Sequence, residues 1–262
     1  MLIEGNPQDR NFVTALARGL TILQTLGAHP EGLSNSALAM ATDLPKPTVA
    51  RLIHTLTKLG YVKHDKGGGV YRSTAKLMAL GGQSAPSMNM AVLATPELRD
   101  IRDTGPNSGV TASLVEIVGA RCVFRVVEQS RQENALWLLG GVTAHILDTA
   151  VGRAILATTD AVLRDQIIEA IQAVDPKSLE EQKQAYNTGK QELKEQGFVT
   201  GFGHWRSDIN GIAVPVRMPG SFHVYGISTG GPAHLVSQDE LREVYAPLLK
   251  AAAQRIEAQG LV

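Results

Sequence analysis

One cysteine in 262 residues, Cys122, excludes an internal disulfide framework and a cysteine-rich zinc site. It reads as a small buried apolar side chain rather than a reactive thiol. No apolar run reaches the roughly 18 residues of a membrane-spanning helix. The first ten residues, MLIEGNPQDR, lack the basic-then-apolar order of a secretory signal. A soluble, cytoplasmic protein with no membrane association is the expectation. Signatures of chemistry are scarce as well. H-E-x-x-H, P-loop and C-x-x-C patterns are absent, and no nucleophile elbow is expected. The glycines of GFVTGFG lack the strand–turn–helix context of a dinucleotide fingerprint. An enzyme is therefore not expected, and no catalytic residue, cofactor or metal site is assigned.

Net charge is also absent, with 25 Lys and Arg against 25 Asp and Glu, but it is unevenly spread. Residues 1–82 hold nine Lys and Arg and five acids, a net +4, which leaves −4 for the remainder. A basic first third on an acidic remainder suggests a polyanion-binding module joined to something else. Apolar residues make up 44% of the chain, enough for a sizeable core in one large domain or two ordinary ones.

The first third reads as helix, short helix, tight turn, helix. Residues 12–27 place Val13, Leu16, Leu20, Leu23 and Leu26 at three- and four-residue spacings, an amphipathic helix ending at Gly27. Ser34 suits the N-cap of a short second helix with Ala37, Leu38 and Ala41 turned inward. TDLPK breaks it, and Pro47 suits the first turn of a third helix, where a missing N–H costs nothing. On that helix Val49, Leu52, Ile53, Leu56 and Leu59 share one arc, while Pro47, Arg51, His54 and Lys58 share the opposite one, with Thr48 on a flank. YVKHD and VYRST then read as two strands around the turn KGGG, with Lys63, Lys66 and Arg72 on the hairpin. A partly cationic helix that can enter a major groove, followed by a basic hairpin that can follow the phosphates, is a winged helix-turn-helix.

The periods change farther on. MAVLATPELRDIRDTG reads as a linker helix whose apolar Val92, Leu93 and Ile101 offer a pairing surface. GVTASLVEIVG, RCVFRVVEQ, NALWLLGG, INGIAVPVRM and HVYGISTGG read as strands. One helix is expected over residues 152–174, another over SLEEQKQAYNTGKQELKEQG despite Gly189, and a terminal helix or helix pair with Pro247 inside. Strands first and last with helices between imply an α+β domain with an antiparallel sheet.

Residues 12–82 resemble the N-terminal domain of IclR-type bacterial transcriptional regulators. Here ARGLTILQTL, EGLSNSALAMATDLPKPTVARLIHTLTKLGYV and YRSTAKLMALG follow the family order. Farther along, AVGRAILA (150–157), LKEQGFVTGFGHWRSDINGIAVPV (193–216) and YGISTGGPAHLV (225–236) resemble three segments of the family's second domain. The resemblance implies a winged helix-turn-helix over 1–82, a linker helix over 83–104 and a GAF-like effector-binding domain over 105–262. It also implies a DNA-binding regulator whose operator affinity responds to a small organic, acidic or aromatic effector. Homodimers or tetramers would read a pseudo-palindromic operator in double-stranded DNA.

The expected DNA-facing set is Lys46, Thr48, Arg51 and His54 on the third helix, Lys63 and Lys66 on the wing, and Arg18 on the first helix. The expected effector site is an uncapped N-terminus of the GRAILA helix. Backbone N–H groups of Ala150 and Val151 would hold an acid group there, helped by Ser228, with Gly211 and His145 nearby. Several positions depart from the family pattern. Pro47 stands where Ser is usual, Ala50 where His or Tyr is frequent, and Gly211 where Cys is common. Gly230 stands at a second serine, Gly203 and His204 replace an acidic residue, and His145 and Asp148 occupy positions where Pro and Ala are common. A pocket altered in shape and polarity follows. A DNA-binding protein whose second domain has lost its ligand is the alternative.

Overall fold

The structure, a computed structural model, describes residues 11–82, 88–132, 135–174, 179–217 and 225–259. The chain divides into two compact units, Met1–Pro86 and Ser87–Val262.

The first unit holds α1 (Thr14–Gly27), α2 (Asn35–Thr42), α3 (Lys46–Lys58), the strands β1 (Val62–Asp65) and β2 (Val70–Ser73), and α4 (Lys76–Gly82). Local chemistry sets these boundaries. The Ser34 hydroxyl accepts the Ala37 N–H at 3.2 Å and opens α2. Asp43 closes it in the left-handed region at φ 53°, a conformation that Asp tolerates better than most residues. The wing pairs antiparallel with Lys63 opposite Arg72 and His64 opposite Tyr71, and the last two rings stack 4.6 Å apart. Leu33 adds a bridge to Tyr71.

The core of this unit joins Ile22, Leu26, Leu38, Val49, Ile53 and Val62. It corrects the expected face of α1. Val13, Leu16 and Leu20 are 61%, 63% and 44% exposed, whereas Thr21, Ile22 and Leu26 are buried. α1 carries two stripes roughly opposite each other, and Thr21 can turn inward because its hydroxyl bonds the Ala17 carbonyl at 3.0 Å. Ala41 and Leu59 are likewise exposed, with Ala39 buried in α2 instead.

The second unit is α+β. It begins with α5 (Met88–Thr104), followed by β3 (Thr111–Val118), β4 (Arg121–Glu128) and β5 (Thr143–His145). Three helices come next: α6 (Ala150–Thr158), α7 (Ala161–Val174) and α8 (Leu179–Gln196). Strands β6 (Val199–Thr200), β7 (Ile209–Val216) and β8 (Tyr225–Pro232) complete one antiparallel sheet of order β5-β4-β3-β8-β7-β6. The chain ends in α9 (Gln238–Glu240), a π-helical turn over Leu241–Tyr245 and α10 (Ala246–Gln259). Pro247 therefore falls in the first turn of α10, next to the π-turn.

Both faces of the sheet are covered, and the period of two assigns its residues. Ala112, Leu114, Ile212, Val214 and Ile227 pack with α5, α10 and Tyr245. Val115, Phe124 and Ala213 pack with α6, Val151 and Ile155 on the other side. Leu98 and Ile101 are 0% and 1% exposed in the first of these cores. Ile101 is thus unavailable as the pairing surface expected of it, while Val92 remains exposed.

Two further expectations change. Residues 135–142 form no strand, and the third strand of this region is β5. The single helix over 152–174 is two, because Asp160 Oδ1 accepts from the N–H groups of Val162 and Leu163 at 3.0 Å each and starts a new helix. Gly189 has a packing reason: a Cβ there would lie 2.8 Å from Arg153 Cβ, so glycine lets α8 sit close on α6. Among the described residues no helix is long and apolar enough to cross a membrane.

Candidate functional site

The first surface is α3 and the wing. Val49 and Ile53 anchor α3 in the core, which turns Lys46, Arg51, His54 and Lys58 to solvent and leaves Thr48 half-buried. The charges there are unspent. Among the described residues, the side chains of Arg18, Lys46, Arg51, His54, Lys63 and Lys66 make no hydrogen bond or ion pair, and all six are exposed. Arg72 and Lys76 differ. Arg72 donates to the Pro30 carbonyl at 2.6 Å and lies 3.6 Å from Asp65. Lys76 donates to the Leu59 carbonyl at 2.9 Å and sits 4.9 Å above the Tyr61 ring. Arg72 thus ties the wing to the loop after α1, and Lys76 ties the start of α4 to the end of α3. The unpaired ones are free to replace counterions on a polyanion. Arg18 lies on α1, apart from the α3–wing set in sequence.

The second site is a solvent-open cavity in the second unit, with about 530 Å³ of space between its walls that includes open solvent. Strand register builds its floor. Thr111, Gly230 and Gly211 lie side by side across β3, β8 and β7, and Ser113, Ser228 and Ala213 form the next row. Two glycines in one row leave a trough. They are not equivalent, however. A Cβ on Gly230 would lie 2.2 Å from the Asn210 carbonyl oxygen, so this strand approach demands glycine. A Cβ on Gly211 would meet only the Thr229 carbonyl oxygen, at 3.4 Å. The hydroxyls of Ser113 and Ser228 bond each other at 2.8 Å. The serine missing at Gly230 is thus offset by hydroxyls from β3.

The end wall is the N-terminus of α6. It is capped, contrary to expectation: Thr149 Oγ1 accepts the Gly152 N–H at 3.0 Å. The N–H groups of Ala150 and Val151, on the first two residues of the helix, have no hydrogen-bond partner among the described residues. Gly152 lets the helix seat deeply, since a Cβ there would lie 2.1 Å from the Ile146 carbonyl oxygen and 2.8 Å from Cys122 Sγ. Burial pushes the Cys122 thiol up to about 12. Behind the cap, buried Arg153 donates to the Thr200 carbonyl at 2.6 Å and ties α6 to β6. Glu192 accepts both the N–H and the hydroxyl of Thr200. Burial pulls the Arg153 pKa down, partly countered by Glu192 and Asp148.

The remaining wall is apolar and aromatic. Phe124 and Trp205 line it with ring centres 6.0 Å apart, and Leu136 and Leu138 add to it. The described lining includes no Lys, Arg, His, Asp or Glu.

Ala150, Val151, Gly211 and Ser228 therefore meet in one cavity. His145 does not join them. In β5 it alternates with Ala144, and Ala144 takes the α6-facing side with Cys122, so His145 points to the other face. His204 is exposed and also lies outside the lining. The sequence reading missed Thr111, Ser113, Phe124, Asn210 and Trp205. The T-x-S alternation opening β3 was the available signal for the hydroxyls. No local pattern marked Trp205 or the irregular segment bearing Leu136 and Leu138.

Gly226-Ile227-Ser228-Thr229-Gly230 does carry the G-x-S-x-G spacing of a nucleophile elbow, which the expectation of none overlooked. It sits inside strand β8, paired on both sides, with no strand-to-helix turn. Ser228 bonds Ser113, not a base. Among the described residues no group of three or more His, Cys, Asp or Glu is placed to hold a metal ion.

Comparison with known proteins gives concordant results. The IclR helix-turn-helix domain model matches residues 15–66. The HTH-type transcriptional regulator TsaQ1/TsaQ2 of Comamonas testosteroni is 28% identical over 254 residues, covering 95% of this chain and 88% of that protein. The crystal structure of an IclR family transcriptional regulator from Brucella abortus superposes with a TM-score of 0.79 at 28% identity, covering 98% of this chain and 97% of that one. An IclR homologue from Microbacterium hydrocarbonoxydans, crystallised with 4-hydroxybenzoate, has a TM-score of 0.71 at 17% identity, covering 94% and 99%.

Proposed function

We propose that this chain, a member of the IclR-type family of DNA-binding transcriptional regulators and not an enzyme, changes its operator affinity when a small organic ligand enters the cavity of its second unit. One observation carries the reading: the first two residues of α6, whose N–H groups have no hydrogen-bond partner among the described residues, line a cavity with hydroxyls on its floor and apolar rings on its wall. Such an end wall suits an acid group, since helix N-termini offer free donors and partial positive charge. The floor hydroxyls suit a second polar group, and the remaining wall an apolar body. The 4-hydroxybenzoate of the Microbacterium homologue belongs to a chain related by fold at 17% identity.

In this reading α3 enters the major groove, with Arg51 and Thr48 reaching base edges from the first turns. Lys46, Lys63 and Lys66 meet phosphates, and His54 and Arg18 flank them. One such unit covers too few base pairs for a unique genomic site, so a homodimer or tetramer reads a pseudo-palindrome in the cytoplasm. Ligand and DNA are coupled if the ligand binds the DNA-free and DNA-competent states unequally. The domain order is a winged helix-turn-helix over 1–82, a linker over 83–104 whose described part is α5 (Met88–Thr104), residues 83–87 lying outside the described residues, and an effector-binding domain over 105–262.

Fluorescence anisotropy with the protein's own promoter and with scrambled DNA tests the first half. Equal affinity for both would end the operator reading. A thermal-shift screen of small organic acids tests the second. A true ligand at 100 times its Kd adds about 2.7 kcal/mol of stability. Gly211→Leu, whose side chain fills the trough, is expected to abolish that response and keep promoter affinity. A screen with no response means that the second unit has lost its ligand.

A further inference from the structure

We infer that Trp205 is the specificity-determining residue of the cavity and selects a flat aromatic body over a saturated one of the same size. This rests on the ligand site proposed above. The polar parts of the cavity are indifferent to the body of the ligand: the α6 N–H groups and the Ser113–Ser228 hydroxyl pair grip any acid or hydroxyl. Discrimination between bodies can come only from the apolar wall, and that wall contains two rings. Phe124 and Trp205 lie 6.0 Å apart with planes tilted by 30°. The faces and edges of such rings offer quadrupole contacts, offset or edge-on, to a third ring, which a cyclohexane body cannot make.

Trp205 is also held in place from the backbone. It lies in the connection between β6 and β7, which is bonded across its width by Gly201 N–H to the Gly211 carbonyl at 2.8 Å and Gly203 N–H to the Ile209 carbonyl at 2.9 Å. Gly203 takes φ +70°, which a larger residue would resist. Arg206 and Asp208 pair at 2.7 Å just beyond it. The Asp208 carbonyl accepts from Ala233 N–H at 2.8 Å, fastening the connection to the segment after β8. The indole N–H makes no hydrogen bond with any described residue. The ring is thus half-buried with one side on the cavity, unlike Trp137, which is 75% exposed. A half-buried ring on a rigid, multiply tied connection, facing a cavity, is pre-organised for contact with a ligand.

The test uses full-length protein and three probes: benzoate, 2-naphthoate and cyclohexanecarboxylate. In a Trp137→Phe background Trp205 is the sole tryptophan, so its emission reports occupancy, and calorimetry gives the affinities. Benzoate and 2-naphthoate are expected to perturb the emission and to bind about tenfold more tightly than cyclohexanecarboxylate. Trp205→Leu, apolar but not aromatic, is expected to lose about tenfold for the aromatic acids and nothing for the saturated one. Trp205→Phe recovers most of the loss. Equal affinity for benzoate and cyclohexanecarboxylate, or equal losses for both in Trp205→Leu, overturns the assignment of Trp205 and leaves the cavity standing as a ligand site. Absence of binding by all three probes overturns it too. If Gly211→Leu also leaves every ligand response unchanged, the site itself is misplaced.

Discussion

Gly152→Ala sets two physical effects against each other. Helix propensity favours alanine over glycine by up to ~1 kcal/mol in a helix interior. Packing opposes it, because the new methyl would lie 2.1 Å from the Ile146 carbonyl oxygen and 2.8 Å from Cys122 Sγ. Neither neighbour can yield cheaply: one is backbone and the other is fully buried. α6 must therefore retreat from the Ile146 backbone and from Cys122 of β4 in a close-packed interior. Overpacking of this kind costs about 1–3 kcal/mol and occasionally more. The propensity gain is smaller still in the first turn of a helix. The net expectation is a loss of about 2 kcal/mol, or about 4–8 °C in Tm for a unit of this size.

Both tryptophans, Trp137 and Trp205, lie in the second unit, so intrinsic fluorescence follows its melting alone. Gly211→Ala is the control, since the nearest heavy atom to its Cβ is 3.4 Å away. It should melt within about 2 °C of the native protein. A Gly152→Ala variant that melts at or above the native temperature would refute the reasoning, since propensity would then have won and the close seating of α6 would be unreal.

Arg51→Ala should cost about 1–3 kcal/mol on promoter DNA and far less on scrambled DNA; Lys63→Ala and Lys66→Ala should weaken both alike and lower the salt slope by about 0.9 each, and equal losses on both DNAs for Arg51→Ala would remove its base-reading role. Arg153→Met should destabilise the second unit by about 1.5–3 kcal/mol, because the Thr200 carbonyl loses a charged donor; denaturant unfolding followed by tryptophan fluorescence checks it, and an unchanged midpoint would show the link to be idle. Cys122 should resist a thiol reagent at pH 8 in the folded protein and react on unfolding. Its raised folded pKa also means that its contribution to stability is complete below the unfolded value of 9.0 and lost as pH rises from there toward about 12. Comparing the pH dependence of unfolding with that of Cys122→Ala isolates the slope, and identical slopes would contradict the burial.

The first unit was legible because its signals are local. A serine cap at 34, Asp43 and Pro47 around the tight turn, the α3 wheel and the KGGG turn each act over a few residues. Even there one local signal misled: α1 has two apolar stripes, and only packing against α2 and α3 decided that Ile22 and Leu26 face inward while Leu16 and Leu20 do not. In the second unit the antiparallel α+β class, the α6 terminus and Ser228 could be read from strand composition and resemblance. The cavity itself could not. Its floor exists because Thr111, Gly230 and Gly211, more than a hundred residues apart at the extremes, fall into one row across three strands. Its wall depends on an irregular segment at Leu136 and Leu138 and on Trp205, which no period announces. His145 was excluded by a one-residue alternation within a strand that only the sheet's register could define. Propensity and capping are properties of neighbouring residues, whereas a concave site belongs to the register of distant ones, and that was decided only when the chain folded.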